Sequence, residues 1–323
     1  MSIIEAEGLT REFVVFDGGG LRRKRRVVRA VDGLTLRVEP GEAVGYIGAN
    51  GSGKSTTIKM ISGILTPSSG HLRTCGLKPV PERRALARRI GVVFGQRSAL
   101  WWDLPLAESF PILAAMHRIP AGTWRRRFDV LVDELELASF LGRPVRTLSL
   151  GQRMRGEVAA ALLHSPDLAV LDEPTIGLDM ISKENLRRFL ARERSERGTT
   201  LLLTTHDMGD VQRLCDRMVV IDDGRVAFDG TEAELAAATD AERILVVDLA
   251  EPVAADDLPL PADARVVAAE GDGMRLSIAF ASRRLSAAQV LAAVQSRAEV
   301  VELSLAEPAI EDLIRRIYEG STR

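Results

Sequence analysis

Gly48-Ala49-Asn50-Gly51-Ser52-Gly53-Lys54-Ser55-Thr56 matches the pattern G-x-x-x-x-G-K-[ST], a loop that wraps phosphate. Val44-Gly45-Tyr46-Ile47 ahead of it read as a buried strand, and Thr57-Ile58-Lys59-Met60-Ile61 behind it as a helix. Its glycines let the backbone curl so that N–H groups point inward beside a helix N-terminus carrying partial positive charge. Within the cradle of Gly48, Asn50, Gly51, Ser52, Gly53, Lys54, Ser55 and Thr56, the Lys54 ammonium can reach β- and γ-phosphates. The Ser55 hydroxyl can hold a Mg²⁺. Basic charge elsewhere is almost wholly arginine, with lysine only at Lys24, Lys54, Lys59, Lys78 and Lys183. The compact, flexible ammonium was kept where a phosphate would need it.

A chain of 323 residues exceeds one typical core and fits about two domains. A hydrophobic share of 46% and a charged share of 27% are those of a globular protein. The formal charge of −2 gives no sign of nucleic-acid binding. Cys75 and Cys215 are too few for a disulfide framework and suit a reducing compartment. Met1-Ser2-Ile3-Ile4-Glu5-Ala6-Glu7 has no basic or apolar leader pattern. No apolar stretch approaches a bilayer span, so the chain is not expected to cross a membrane by itself.

Short strand-like stretches open the chain: Ile3 to Leu9, Phe13 to Phe16, Val27 to Val31 and Leu34 to Val38. Glycine and charged turns between them suggest an antiparallel layer. From Ala43 to about Thr231 strands alternate with helices, the pattern of a parallel sheet with helical crossovers. A mostly helical insert, about 97–165, carries helices over Ala107–His117, Trp124–Leu137 and Gly151–His164. After a first domain spanning 1–235, the segment 240–323 reads as a small αβ domain. Its hairpin signal is Gly271-Asp272-Gly273, and helices are expected over Ser286–Arg297 and Ile310–Tyr318.

The clearest strands, Ala43–Ile47, Ile90–Phe94, Leu168–Leu171 and Thr200–Thr204, each end near a polar residue. In open parallel sheets the ligand crevice lies at the carboxyl ends of strands, so these endings should converge. Leu168-Ala169-Val170-Leu171-Asp172-Glu173 is an apolar run ending in two acids, marking where a buried strand emerges into a site. Asp172 is placed to support the Mg²⁺ shell, as in other phosphate-loop enzymes. Glu173 is the candidate general base for the attacking water. Gln96 follows the strand ending at Phe94, and its amide can reach Mg²⁺ or the water. His206 follows Thr205, and its imidazole can hydrogen-bond a γ-phosphate.

Leu148-Ser149-Leu150-Gly151-Gln152 falls between that glutamine and the Asp-Glu pair. The order phosphate loop, glutamine, pentapeptide, Asp-Glu, histidine resembles the ATP-binding subunit of ATP-binding-cassette (ABC) transporters over residues 1 to about 235. The pentapeptide is similar to the family's signature L-S-G-G-Q, with Leu150 in place of the first glycine. The resemblance implies a P-loop NTPase fold of the α/β class: an antiparallel β subdomain, a parallel-sheet core, a helical subdomain, and here a small C-terminal αβ domain. It implies ATP and Mg²⁺ as ligands, Asp179 in the D-loop, His206 as the switch histidine, and Phe13 as the aromatic stacked on adenine, with Phe16 as a rival. It also implies that Ser149, Gly151 and Gln152 face the γ-phosphate of a second copy of the chain. A homodimer would then stack head to tail, and a helix N-terminus at Ser149 suits that contact.

Trp101-Trp102 follows the glutamine where cassette motors of this family receive a transmembrane permease subunit. Exposed aromatics anchor interfaces; equally, one or both tryptophans pack the helical subdomain. This stretch and the short tail resemble bacterial exporter-type members grouped with drug, daunorubicin and viologen export. The expectation is an ATP-hydrolysing exporter motor on the cytoplasmic face of the plasma membrane, with separate permease chains and no nucleic-acid partner. The alternatives are an importer motor, or a soluble cassette ATPase acting on ribosomes or DNA. Members of that last class usually carry two fused cassettes, coiled coils or zinc motifs, none of which is seen here. The run Leu21-Arg22-Arg23-Lys24-Arg25-Arg26 reads either as a solvated hairpin tip or as a contact for acidic headgroups.

Overall fold

The phosphate loop hangs from the middle of a six-stranded sheet ordered β5-β6-β7-β3-β8-β9. The computed structural model describes residues 2–17, 24–95, 98–239, 242–281, 284–306 and 308–321. Strand β3 (Ala43–Gly48) is buried at every position, as a central parallel strand covered on both faces must be. It lies parallel to β7 (Thr200–Thr204) through Val44↔Leu202 and to β8 (Arg217–Asp222) through Tyr46↔Val219. Beyond β7 come β6 (Leu168–Asp172) and β5 (Ile90–Val93), also parallel, and β9 (Arg225–Gly230) flanks β8. All the motif-bearing strand ends therefore point the same way.

A second sheet, ordered β2-β1-β4, is antiparallel: β1 (Ile4–Asp17), β2 (Lys24–Val38) and β4 (Ser69–Thr74). The sequence suggested four short strands here, whereas the chain forms two long ones. The apparent breaks are absorbed as register shifts between Ala6 and Glu12, with Gly8 (φ 57°) and Gly33 (φ 69°) in the left-handed region. Leu21 to Arg23 of the basic run lie outside the described residues; Arg25 and Arg26 are exposed.

Alternation along the strands divides the interior in two. Val44, Tyr46, Val170 and Leu202 face the antiparallel layer with Ile4, Leu36, Ile58 and Ile61. Those isoleucines at 58 and 61 belong to α1 (Lys54–Ile61), and the short α2 (Arg83–Leu86) adds Leu86. Ala43, Leu171, Leu201 and Leu203 face the helices instead, beside Phe110, Leu131, Val158 and Phe189. Those side chains come from α3 (Leu106–His117), α4 (Ala121–Glu134), α5 (Leu150–Leu162) and α6 (Met180–Arg197), with α7 (Met208–Leu214) alongside α6. Helix α4 is shifted toward the N-terminus relative to the expected Trp124–Leu137. Pro120, with φ −58°, starts it early, and Glu136, at φ 52°, lies past its end.

One buried ion pair ties the helical layer to α6. The Arg127 guanidinium donates to Glu193 Oε1 at 2.8 Å and to the Leu162 carbonyl at 3.3 Å, and both charged side chains are 5% exposed. Removing one partner strands the other charge in the interior, which costs about 3–5 kcal/mol. Glu193→Ala should therefore lower the unfolding free energy of the first unit by about that amount in a urea titration. A loss under ~1 kcal/mol would show that water reaches the pair.

The chain divides into compact units at Asp229/Gly230, ahead of the boundary near 235 expected from composition. The reason is that α8 (Glu232–Ala238) packs against α10 (Ile310–Ser321), and the Arg316 side chain donates to the Thr239 carbonyl at 3.4 Å. The second unit's sheet is ordered β11-β12-β10-β13. Its strands are β10 (Glu242–Leu249), β11 (Ala264–Glu270), β12 (Arg275–Ala281) and β13 (Val300–Ala306). Helix α9 (Ala287–Gln295) brings Val290 and Val294 into the cluster formed by Leu245, Val247, Leu276, Ile278 and Phe280. The expected hairpin joins β11 to β12: Gly271, Asp272 and Gly273 take φ of 57°, 55° and 96°.

Candidate functional site

Two glycines and a close packing contact shape the loop after β3. A side chain at Gly48 would overlap the Ser52 hydroxyl and the Ile221 carbonyl. Gly51 and Gly53 sit at φ 88° and 103°, conformations that L side chains rarely adopt. Gly53 is also the N-cap of α1, and a side chain there would meet the Ala30 carbonyl of β2. The Lys54 ammonium folds over the loop, donating to the Gly48 carbonyl at 2.5 Å and the Ala49 carbonyl at 3.0 Å. Burial pulls its pKa below the ordinary lysine value, and Asp172 and Glu173 pull it partly back.

A cavity of about 350 Å³ opens at this loop. Asn50, Gly51, Gly53, Lys54, Ser55 and Thr56 line it together with Gly95, Asp172, Glu173, Ile176 and His206, and Ala30 is also on its wall. The predicted convergence of strand ends is thus present: β3, β6 and β7 lead into one space. Asp172 closes β6, with its Oδ1 taking a hydrogen bond from the Thr204 hydroxyl and its Oδ2 facing the Gly95 N–H at 3.5 Å.

Glu173 adopts φ 54°, a left-handed conformation costly for a residue with a side chain. The geometry is held because its N–H donates to the Thr204 carbonyl at 2.9 Å while its own carbonyl accepts from Ile176 at 3.2 Å. Its carboxylate meets His206 twice: Oε1 lies 3.5 Å from Nε2, and Oε2 accepts from the backbone N–H at 3.4 Å. Burial pushes the Glu173 pKa up, against the pull of His206. A carboxylate that must be ionised to accept a proton then loses function at a higher pH than an ordinary one. The acid limb of the kcat/KM profile should fall above the free glutamate value of about 4.3. A limb at or below it would exclude Glu173 as the titrating base.

Behind these groups lies a residue that motif matching did not single out. Asp210 is fully buried on α7. Its Oδ2 accepts from the Thr175 hydroxyl at 2.6 Å and the Thr205 hydroxyl at 3.1 Å, while Oδ1 accepts from Arg187 Nε at 2.7 Å. One carboxylate thereby ties the residue two past Glu173 to the residue before His206. The only sequence signal was an acid one helical turn after His206.

Other candidates stand apart from this cavity. Ser149 caps α5, its hydroxyl accepting from the Gln152 N–H at 3.2 Å while Gln152 Oε1 accepts from the Ser149 N–H at 3.1 Å. Gly151 follows in the first turn. Asp179 caps α6, accepting from the Ser182 N–H and hydroxyl, each at 2.9 Å, and these bonds hold its pKa down. Phe13, paired with Val28, has the Arg11 guanidinium 4.7 Å from its ring centroid. None of these five lines the phosphate-loop cavity, and Gln96 lies outside the described residues. The tryptophan pair separates: Trp101 packs against the helical core, whereas Trp102 is 49% exposed with Arg153 5.6 Å from its ring. Among the described residues no helix is long and apolar enough to cross a membrane.

The family model for ABC transporters matches residues 31–176. The Nod factor export ATP-binding protein I of Ralstonia nicotianae is 40% identical over 221 residues, covering 67% of each chain. The daunorubicin resistance ATP-binding protein DrrA3 of Streptomyces coeruleorubidus is 38% identical over 219 residues, 68% of this chain and 69% of its own. A solved dimer of the ATP-binding cassette MJ0796, in a post-hydrolysis state with ADP and Pi, superposes with a TM-score of 0.62 at 25% identity. That match covers 71% of this chain and 98% of the other.

Proposed function

Because this chain belongs to the ABC transporter family as an ATP-hydrolysing cassette, we propose that it is the motor of a bacterial exporter. It works as a pair of identical chains on the cytoplasmic face of the membrane, beside separate membrane-spanning permease subunits. The observation that carries this is the cavity uniting Lys54 and Ser55 with Asp172, Glu173 and His206. The names of its relatives, for Nod factor export and daunorubicin resistance, support the exporting direction. Cargo contacts belong to the permease.

Each residue has a task set by its chemistry. Lys54 exchanges two neutral carbonyl acceptors for charged phosphate oxygens, which bind an ammonium more strongly. Glu173 takes the proton of the attacking water, and His206 beside it orients the carboxylate and holds the γ-phosphate. The oxygen donors Ser55 and Asp172, on the same cavity, fit a small hard cation, with Gln96 as a third ligand. Mg²⁺ held there supplies neutralisation of the charge on the β- and γ-phosphates. Phe13, carrying Arg11 on one ring face, offers the other to adenine.

Ser149 and Asp179 lie off this cavity, which supports their serving the nucleotide of the second chain. Ser149→Ala should then lower turnover by about tenfold to a hundredfold while leaving ATP affinity of the single chain within about twofold. Titration calorimetry at low protein concentration, beside steady-state kinetics, separates the two effects. A matching loss of single-chain affinity would place Ser149 in its own chain's site and remove the case for pairing.

A further inference from the structure

Leu150, where the signature of the family has glycine, is 41% exposed, and one side of it lies against the turn at Gly177. A Cβ built on Gly177 would lie 2.8 Å from both Cγ and Cδ2 of Leu150 and 3.0 Å from its Cβ. Gly177 itself takes φ 73°. The fit is reciprocal, since a Cβ on Gly151 would lie 2.5 Å from the Gly177 carbonyl oxygen and 3.1 Å from Leu178 Cδ2. The first turn of α5 and the turn at Gly177 are therefore interlocked, each occupying the space that a side chain on the other would need.

What these two turns carry gives the interlock its meaning. Ser149 caps α5 immediately before Leu150. The turn at Gly177 is bound at its near end to Glu173, whose carbonyl accepts from Ile176 at 3.2 Å, and within itself by Leu178 N–H to the Thr175 carbonyl at 3.2 Å. It leads directly into Asp179, the cap of α6. Atoms in close contact cannot approach further, so a displacement of one turn is passed to the other.

We propose that Leu150 is a positioning residue that joins the Ser149 cap to the turn behind Glu173, so that the end gripping the second chain's nucleotide moves with the chain's own hydrolytic carboxylate. A glycine in its place has no side chain to make this contact. The inference rests on the paired-chain reading for the target of Ser149, though not for the contact itself.

Variants at the two turns test it against the parent: Leu150→Gly, Leu150→Met, Gly177→Ala and the Leu150→Gly/Gly177→Ala double variant. Leu150→Gly should lower kcat about tenfold with KM within about twofold, and Leu150→Met should restore most of the loss. Gly177→Ala should cost about tenfold or more in kcat beside Leu150, and clearly less in the Leu150→Gly background, where the added methyl meets no leucine. An equal cost of Gly177→Ala in both backgrounds, or an unchanged kcat in Leu150→Gly, overturns the proposal. Hydrogen exchange on single chains without nucleotide gives a readout independent of pairing. Amides at 150–153 and 176–182 should exchange faster together in Leu150→Gly, and unchanged protection in both would refute the contact as a lock. If the Glu173→Gln protein stays monomeric with Mg-ATP while those amides respond, the pairing fails and the lock stands within one chain only.

Discussion

Glu173→Gln is expected to cut ATP turnover by about a hundredfold to ten-thousandfold, the range a positioned base contributes, while ATP affinity stays within about threefold. The glutamine keeps the shape and an acceptor but cannot take a proton, so the chain loads nucleotide and halts. Under the paired-chain reading the halted species accumulates as dimer, seen as a doubled mass in light scattering with Mg-ATP. Stability should shift in the opposite sense to activity. Glu173's pKa is raised in the fold by burial. Its favourable contribution is complete below the unfolded-state pKa and disappears as pH rises through the folded value. At pH 7 the ionised group is thus a net strain on the fold, and the uncharged amide relieves it. The variant's melting temperature should equal or exceed the parent's at pH 7, with the difference closing toward pH 4. Normal turnover would remove Glu173 from the chemistry, whatever the melting curve showed.

Lys54→Ala should weaken ATP binding by about tenfold to a hundredfold, the equivalent of one or two charge-assisted hydrogen bonds. Among the described residues Lys54 is the one lysine or arginine on the wall of the cavity, so its loss removes the ammonium from the phosphates and leaves them the loop's N–H groups and the neighbouring polar side chains. Fold stability should change little, because the two carbonyls freed at Gly48 and Ala49 can turn to water while a partly buried charge is removed. Fluorescent-nucleotide titration checks the first expectation and thermal melting the second. Unaltered affinity would mean the ammonium stays on its own loop when ATP binds.

Much of this architecture is written locally. An apolar run ending in Asp172-Glu173 can only be a buried strand surfacing at a site, and the glycine spacing around Lys54 admits few backbone shapes. Those features need no knowledge of distant residues. Other features of the site depend on such residues. Asp210 becomes a hub only because the fold brings Thr175, Arg187 and Thr205 to one carboxylate, and no spacing rule encodes that meeting. The tryptophans at 101 and 102 are chemically identical neighbours, and only the packing of α3 to α5 decides which one turns toward the core. The two long strands of the antiparallel layer read as four because glycines that break a strand in isolation are accommodated as bulges once a partner strand is present. Phe13, Ser149 and Asp179 were legible as motif members, yet their chemistry is not visible within one chain's cavity.

The Arg127–Glu193 pair also limits how the molecule can bend. Separating two charges that water does not reach is far more costly than sliding leucines past one another. Any swing of α3, α4 and α5 against α6 must keep that contact intact. The contact therefore behaves as a pivot pin: motion is small beside it and grows with distance, and the largest arc is left to the parts of the helical layer farthest from Arg127.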